Sequence, residues 1–391
     1  MPLFTGNDSD GVIATASGQN WFTLEGEVVS HSFDAFDFST FNGGSYTVLG
    51  TVISDFDAIV SDDASSGITV TIAETGFVFG DSDGIELFGV DHTVINNGTI
   101  VTLADAGIQL FRADSLTFGE VINNGTIEGD RGIVVEGGNT VVNNGFIAAS
   151  DTGVELDGNG VAPENASQAG NLFINTGTVT GNIHGVELRS VDGALTRVIN
   201  SGVIAHSGTG SGEAIDANFA DGVVNVTNTG SILGDVGVGS NNDIIRNTGL
   251  IDGDVTLGNG ADVLRGFGGE VTGTINGGLG DDTFFVDQVD VVIDGGADYD
   301  TVFTRADFVS GGGIESIVLQ GAGDIDATGD TEANLMLGNK GDNELIGLTG
   351  NDTLLGGDGD DRGGLVCLNS FEPFRKWISR SVMPRPGFVA A

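Results

Sequence analysis

The sequence predicts an all-β chain built from repeats: a parallel β-helix solenoid, followed by a second array of tight, glycine-rich turns. Two observations predict it. A short pattern of asparagine, glycine and β-branched residues recurs seven times, and a nine-residue glycine–aspartate pattern then takes over. Composition agrees, since 67 of the 391 residues are glycine, five are proline and 39 % are hydrophobic. That is enough apolar content to bury a core, and it favours many short strands joined by tight turns. A collagen-like three-residue glycine period is absent.

The first pattern reads INNGTI, INNGTI, VNNGFI, INTGTV, INSGVI, TNTGSI and RNTGLI. Its leading asparagines are Asn96, Asn123, Asn143, Asn175, Asn200, Asn228 and Asn247, and its glycines are Gly98, Gly125, Gly145, Gly177, Gly202, Gly230 and Gly249. Between copies sit DGIEL, AGIQL, RGIVV, TGVEL and HGVEL, beginning at Asp83, Ala106, Arg131, Thr152 and His184. Each repeat therefore holds at least two strands separated by turns. Glycine after asparagine is expected to supply the positive φ that sharp turns need. One repeat cannot bury its own apolar residues, whereas stacked repeats share a core. Glycine spacings of 19 to 32 residues suit one coil per repeat, with loops of variable length. Strands stacked at about 4.8 Å would align the asparagines into an amide ladder. Over residues 80–255 the chain resembles right-handed β-helix proteins, autotransporter passengers among them. A β-sandwich would not need the same turn seven times, and the leucine frame of leucine-rich repeats is missing.

From about residue 256 the period changes. Residues 329–337, 338–346 and 347–355 read GDTEANLML, GNKGDNELI and GLTGNDTLL, and 356–362 begin a fourth frame, GGDGDDR. Isolated copies lie upstream: LGNGADVLR at 257–265, GGLGDDTFF at 277–285 and GGADYDTVF at 295–303. The frames resemble the RTX, or haemolysin-type, nonapeptide Gly-Gly-x-Gly-x-Asp-x-apolar-x. That resemblance implies a calcium-binding β-roll, with Ca2+ as cofactor held between stacked turns. It implies ligand and turn residues at Asp262; at Gly277, Gly278, Gly280 and Asp282; at Gly295 and Asp300; at Asn334 and Asn343; at Gly347, Gly350 and Asp352; and at Gly356, Gly357, Gly359 and Asp361. The chemistry fits the spacing, because calcium takes six to eight oxygens and glycines let carbonyls turn toward an ion. Asn334 and Asn343 depart from aspartate and are expected to be weaker ligands. Asp298 stands where its frame should have the fourth-position glycine, and Gly363 stands where the fourth frame should have its apolar eighth residue.

The expected organisation is residues 1–80 as an N-terminal β cap or first coils, 81–255 as β-helix, 256–361 as calcium-binding repeats and 362–391 as an atypical basic tail. The tail holds five of the 13 basic residues, and its composition suggests a truncated or frame-shifted reading. It does not resemble the C-terminal signal that type I secretion machinery reads in the RTX family.

Net charge is −43, which repels nucleic acid and anionic membranes, so no nucleic-acid partner is expected. No apolar run is long enough to span a membrane, no cleaved signal peptide is evident and the single cysteine, Cys367, allows no internal disulfide. The expected function is a secreted, extracellular calcium-binding protein with a structural or adhesive role, with extracellular polysaccharide or a cell surface as partner. The alternative is a fragment of a polysaccharide lyase or uronate C5-epimerase, since β-helices with RTX segments occur in such enzymes. A non-enzyme is favoured. Basic residues before the tail are scattered singly, tyrosines are only Tyr46 and Tyr299, and His-Glu-x-x-His is absent. Among the four histidines, His184 takes a position filled elsewhere by Asp83, Ala106, Arg131 and Thr152, which reads as an exposed turn.

Overall fold

A computed structural model describes residues 3–4, 12–13, 17–39, 42–112, 119–158, 169–189, 194–210, 212–287, 292–364 and 376–378. Among them every regular element is a strand, and every strand pairing with an assigned register is parallel. The fold is a parallel β-helix. The chain divides into two compact units, Met1–Asn241 with Gly249–Gly253, and Asn242–Thr248 with Asp254–Ala391.

In the first unit each coil crosses three sheets. One coil runs Glu120–Asn123, Thr126–Gly129 and Arg131–Glu136, and the next begins with Thr140–Asn143. The sequence enforces this by alternation, since inward residues are aliphatic and stack in register. In the first sheet Val94, Val121, Val141, Phe173, Val198 and Val226 form one column. In the second, Val52, Val78, Ile100, Ile127, Ile147, Val179, Ile204, Ile232 and Ile251 form another. In the third, Ile59, Ile85, Ile108, Ile133, Val154, Val186 and Ile215 do the same. All are fully buried. A one-residue slip would turn a whole column outward, so these columns fix the register. Coils of the same kind begin before residue 80: Asn20–Thr23 pairs with Asn42–Val48, which pairs with Ser66–Ile72. There the interior is filled by aromatics, with Phe36 stacked on Tyr46 at 4.0 Å between ring centres.

The asparagines close the corner between the first and second sheets. Asn96, Asn123, Asn143, Asn175, Asn200 and Asn228 are completely buried. Each of the first five donates its Nδ2 to Oδ1 of the next at 2.8 Å. The glycine two residues on is needed for a reason other than the expected one. None of the seven adopts a φ in the left-handed region. Instead, a Cβ there would overlap the carbonyl oxygen of the matching glycine one coil back, as at Gly125 against Gly98 and Gly145 against Gly125. Close stacking, not turn conformation, excludes other residues here.

The second unit changes its coil. Val255–Asn259, Thr274–Leu279 and Val292–Ala297 form one sheet. Val263–Arg265, Thr283–Val286, Thr301–Thr304, Ser316–Leu319, Leu335–Leu337 and Thr353–Leu355 form another. From Phe308 onward a four-stranded sheet faces the chain's return: Phe308–Val309, Ala327–Thr328, Glu344–Ile346 and Arg362–Gly364. Stacked partners are then 18 residues apart, as in Leu335 with Thr353 and Glu344 with Arg362, so one coil holds two nonapeptides. The strand pairing does not stop at Gly363, which stands in register with Leu345. Lys376–Ile378 pairs with Thr353–Leu355. The rest of the basic tail, Cys367 included, lies outside the described residues.

Candidate metal centre

The nonapeptide turns, the last frame with Gly363 excepted, are placed by an apolar eighth residue. Leu264, Phe284, Val302, Ile317, Met336 and Leu354 form one in-register column, all fully buried. Anchoring that residue fixes the sixth, two positions earlier, at the head of the strand. In the aspartate frames the turn takes positive φ at its second and fourth residues: Gly278 and Gly280 have φ 105° and 111°, and Gly357 and Gly359 have 98° and 121°. Asp298 keeps its turn by adopting φ 81° itself, and Leu348 does so at φ 55°. A non-glycine residue there is strained by roughly 1–2 kcal/mol.

The sixth residues stack. Asp262 Oδ1 accepts the N–H of Asp243 at 2.6 Å, Asp282 Oδ1 that of Asp262 at 2.8 Å, and Asp300 Oδ1 that of Asp282 at 2.8 Å. Asp300 in turn donates its N–H to Glu315 Oε2 at 2.7 Å. Asp262, Asp282 and Asp300 are at most 1 % exposed. Their second oxygens, Oδ2, are buried and have no hydrogen-bond partner among the described residues. The first-position glycine makes room for that oxygen: a Cβ on Gly277 would overlap Asp282 Oδ2, and one on Gly295 would crowd Asp300 Oδ2. Burial is the main cause that pushes Asp262 up to about 6 and Asp282 and Asp300 up to about 7. The neighbouring N–H opposes it in each case, and for Asp282 and Asp300 adjacent carboxylates add to it. A buried carboxylate oxygen without a donor is costly unless it is protonated or meets a cation.

Farther along, Asp352 Oδ1 accepts the N–H of Asn334 at 3.1 Å, and Asp361 Oδ1 that of Asn343 at 3.0 Å. A Cβ on Gly347 or Gly356 would meet the carboxylate of its own frame, Asp352 or Asp361. Gly350 supplies the turn with φ 141°. The expected residues thus fall into two stacks on different sheets. Asp262, Asp282 and Asp300 share one with Asn334 and Asp352, while Asn343 and Asp361 head strands of the four-stranded sheet. Two column members went unread in the sequence although their signal is there. Asp243 precedes Ile245 at the usual spacing, and SGGGIESIV at 310–318 is a nonapeptide with Glu315 in sixth place.

Two further ionic groups lie in the first unit. Ligand atoms of Asp57, Asp83 and Glu86 come within 4.8 Å of one another. Asp83 Oδ1 accepts the N–H of Ala106 at 2.9 Å, and Asp57 Oδ1 that of Asp83 at 2.9 Å. Burial first, then the neighbouring carboxylates, push Asp83 up to about 7 and Glu86 up to about 8. On the third sheet the arginines are not isolated. Glu155 is held by Arg131 at 3.2 Å and by Arg189 at 2.9 Å, Arg131 also pairs with Asp105, and Arg189 also pairs with Glu187 at 2.7 Å. His184 departs from the exposed turn expected of it: it opens a strand, is mostly covered, and points Nε2 to Asp216 Oδ2 at 3.4 Å. No helix among the described residues is long and apolar enough to cross a membrane. Comparison with protein-family models, curated proteins and solved structures returns no match.

Proposed function

We propose that this chain is a secreted calcium-binding repeat protein of the RTX type, with an extracellular structural or adhesive role, whose C-terminal turns are ordered by calcium. One observation carries the reading: the stacked, buried carboxylates of Asp262, Asp282 and Asp300, each with an oxygen that no group among the described residues satisfies. The charge of −43 supports it, since a chain so acidic repels itself when compact unless cations neutralise it. Unit charges one strand spacing apart repel by about 3 kcal/mol at an effective dielectric of 20. Asp262, Asp282, Asp300, Asp352 and Asp361 would hold the ion, the first-position glycines keeping space beside the carboxylates. Calcium supplies positive charge and accepts oxygen donors of this kind. Extracellular modules of such character bind at about 10⁻⁴–10⁻³ M, so the turns would be loose in a calcium-poor cytoplasm and ordered outside. Export through type I secretion machinery fits that sequence of states, with extracellular polysaccharide or a cell surface as partner.

Hydrogen exchange of the whole chain in EGTA and in calcium tests the reading. Calcium is expected to protect residues 257–303 and 347–361 and to leave 80–241 unchanged. Equal protection in both conditions would overturn it.

A second reading, a fragment of a polysaccharide-modifying β-helix enzyme, is favoured by the meeting of His184, Asp216, Glu187 and Arg189 on one sheet. Against it, Arg131 and Arg189 are already neutralised by Asp105, Glu155 and Glu187, so an anionic sugar gains little from them. No unsaturated product is expected from alginate or pectate with calcium present; its absorbance would reverse the preference.

A further inference from the structure

The nonapeptides with asparagine in sixth place differ from the aspartate frames in their backbone, since none of Asp330, Glu332, Asn339 and Gly341 adopts a left-handed φ, and in how the sixth side chain is bonded. Asn334 Oδ1 accepts the N–H of Asp330 at 3.0 Å, while its Nδ2 donates to the Ile314 carbonyl at 2.8 Å and to Asp330 Oδ1 at 3.1 Å. Asn343 repeats the arrangement one frame later. Its Oδ1 accepts the N–H of Asn339 at 2.9 Å, and its Nδ2 donates to the Ile325 carbonyl at 2.7 Å and to Asn339 Oδ1 at 3.1 Å. Both side chains are 2 % exposed. In both, the amide oxygen is the atom that lies against the first glycine of the frame, Gly329 or Gly338. In the frames at 277–285 and 295–303 that place is held by the partnerless Oδ2 of Asp282 and Asp300.

We propose that Asn334 and Asn343 are internal substitutes for a cation: their amide groups close the turns at 329–346 without an ion, and calcium is confined to the aspartate frames. The reason is the chemistry of the two groups. A carboxylate only accepts, so it leaves the carbonyls around it without a donor and itself without a counter-charge. A carboxamide has two N–H donors and one acceptor oxygen, and here it uses both kinds. Its oxygen already takes a backbone N–H, its nitrogen is aimed at a backbone carbonyl and a side-chain oxygen, and it carries no charge, so the group is satisfied locally and a cation gains little from it. The expectation that these asparagines are weak ligands is replaced by one that they are not ligands. The chain would thus carry an ion-independent coil, 329–346, between two calcium-dependent stretches. This inference rests on the calcium reading of the aspartate frames.

Four variants of the full chain test it by calorimetric calcium titration and hydrogen exchange: Asn334→Asp, Asn334→Ala, Asn343→Asp and Asp282→Asn. In the unsubstituted chain residues 329–346 should stay protected in EGTA. Asn334→Asp and Asn343→Asp should each add a calcium equivalent. They should also lower protection of 329–346 in EGTA by about tenfold or more, as expected when a buried hydrogen bond gives way to a repelling oxygen, with recovery in calcium. Asn334→Ala should leave the calcium stoichiometry unchanged, whereas Asp282→Asn should lower it. A calcium equivalent lost on Asn334→Ala, with Asp282→Asn behaving as stated, overturns this inference alone. No calcium bound by the unsubstituted chain overturns the function proposed above, and this inference with it.

Discussion

The asparagine ladder of the first unit and the aspartate column of the second pose the same structural problem and answer it in opposite ways. Both stack one polar side chain per coil at a corner where water is excluded. In the ladder, each amide donates to the next at 2.8 Å and needs nothing from outside. In the column, each carboxylate takes one N–H from the coil before and leaves an oxygen unmatched. A donor and an acceptor on one side chain make a self-sufficient stack, whereas an acceptor alone makes a stack that waits for a cation or a proton. Asn334 and Asn343 place the first solution inside the second region, which is why they are the most informative residues of the array.

The largest effect that separates the two regions should be pH dependence in EGTA. Asp262, Asp282 and Asp300 have folded-state values of about 6 to 7 against an ordinary 3.8. A carboxyl whose folded value is raised favours the folded state while protonated, so this support is full below the unfolded value and is lost as pH rises to the folded one. Unfolding of 257–303 in EGTA should therefore shift to lower temperature between about pH 4 and 7, whereas the asparagine ladder itself contributes no titrating group and the pH response of the first unit comes instead from Asp83 and Glu86, raised to about 7 and about 8. With calcium the direction reverses, because protons compete for the same oxygens: affinity should rise through pH 6–7 and binding should release protons. Calorimetry in two buffers of different ionisation enthalpy reads that release. A flat pH profile of the 257–303 transition in EGTA would remove the distinction.

Next comes Asn123→Ala. It removes the acceptor for Asn96 and the donor to Asn143. Two buried groups lose a partner, which costs about 2 kcal/mol or more. Chemical denaturation should show this loss, and calcium titration should show no change, because the ladder and the column use different chemistry. Smallest is Leu348→Gly. Relief of φ 55° at that position should stabilise the calcium-loaded array by about 1 kcal/mol, visible as a small rise in unfolding temperature. A loss instead would mean that the leucine side chain contributes more than its backbone strain costs.

Much of the fold was legible because its signal is local and repeated. Asparagine, glycine and an isoleucine at fixed offsets mark a corner wherever they fall, and the buried columns follow that rule coil after coil. The nonapeptides were equally legible, and Asp243 and Glu315 were missed only because one lacks the leading glycine pair and the other is a glutamate. The reason assigned to the Asn-x-Gly glycines was wrong because it looked within the turn, whereas the constraint comes from the coil stacked on it. His184 was misread for a related reason, since Asp216 lies outside its own repeat.

The sequence alone therefore determined the architecture: all-β, coiled, with an amide-bearing repeat followed by an acid-bearing one. Those features follow from periodicity and side-chain preference, which act over a few residues. Tertiary structure decided which polar atoms are satisfied. Whether Asp282 Oδ2 has a donor, whether Asn334 Nδ2 has an acceptor, and whether Arg131 and Arg189 meet on Glu155 all depend on residues 18 to 34 positions away. Loops of unequal length bring these groups into register, and hydrogen bonding is short-ranged and directional, so only the stacked coil reveals whether a side chain is complete in itself or still in need of an ion.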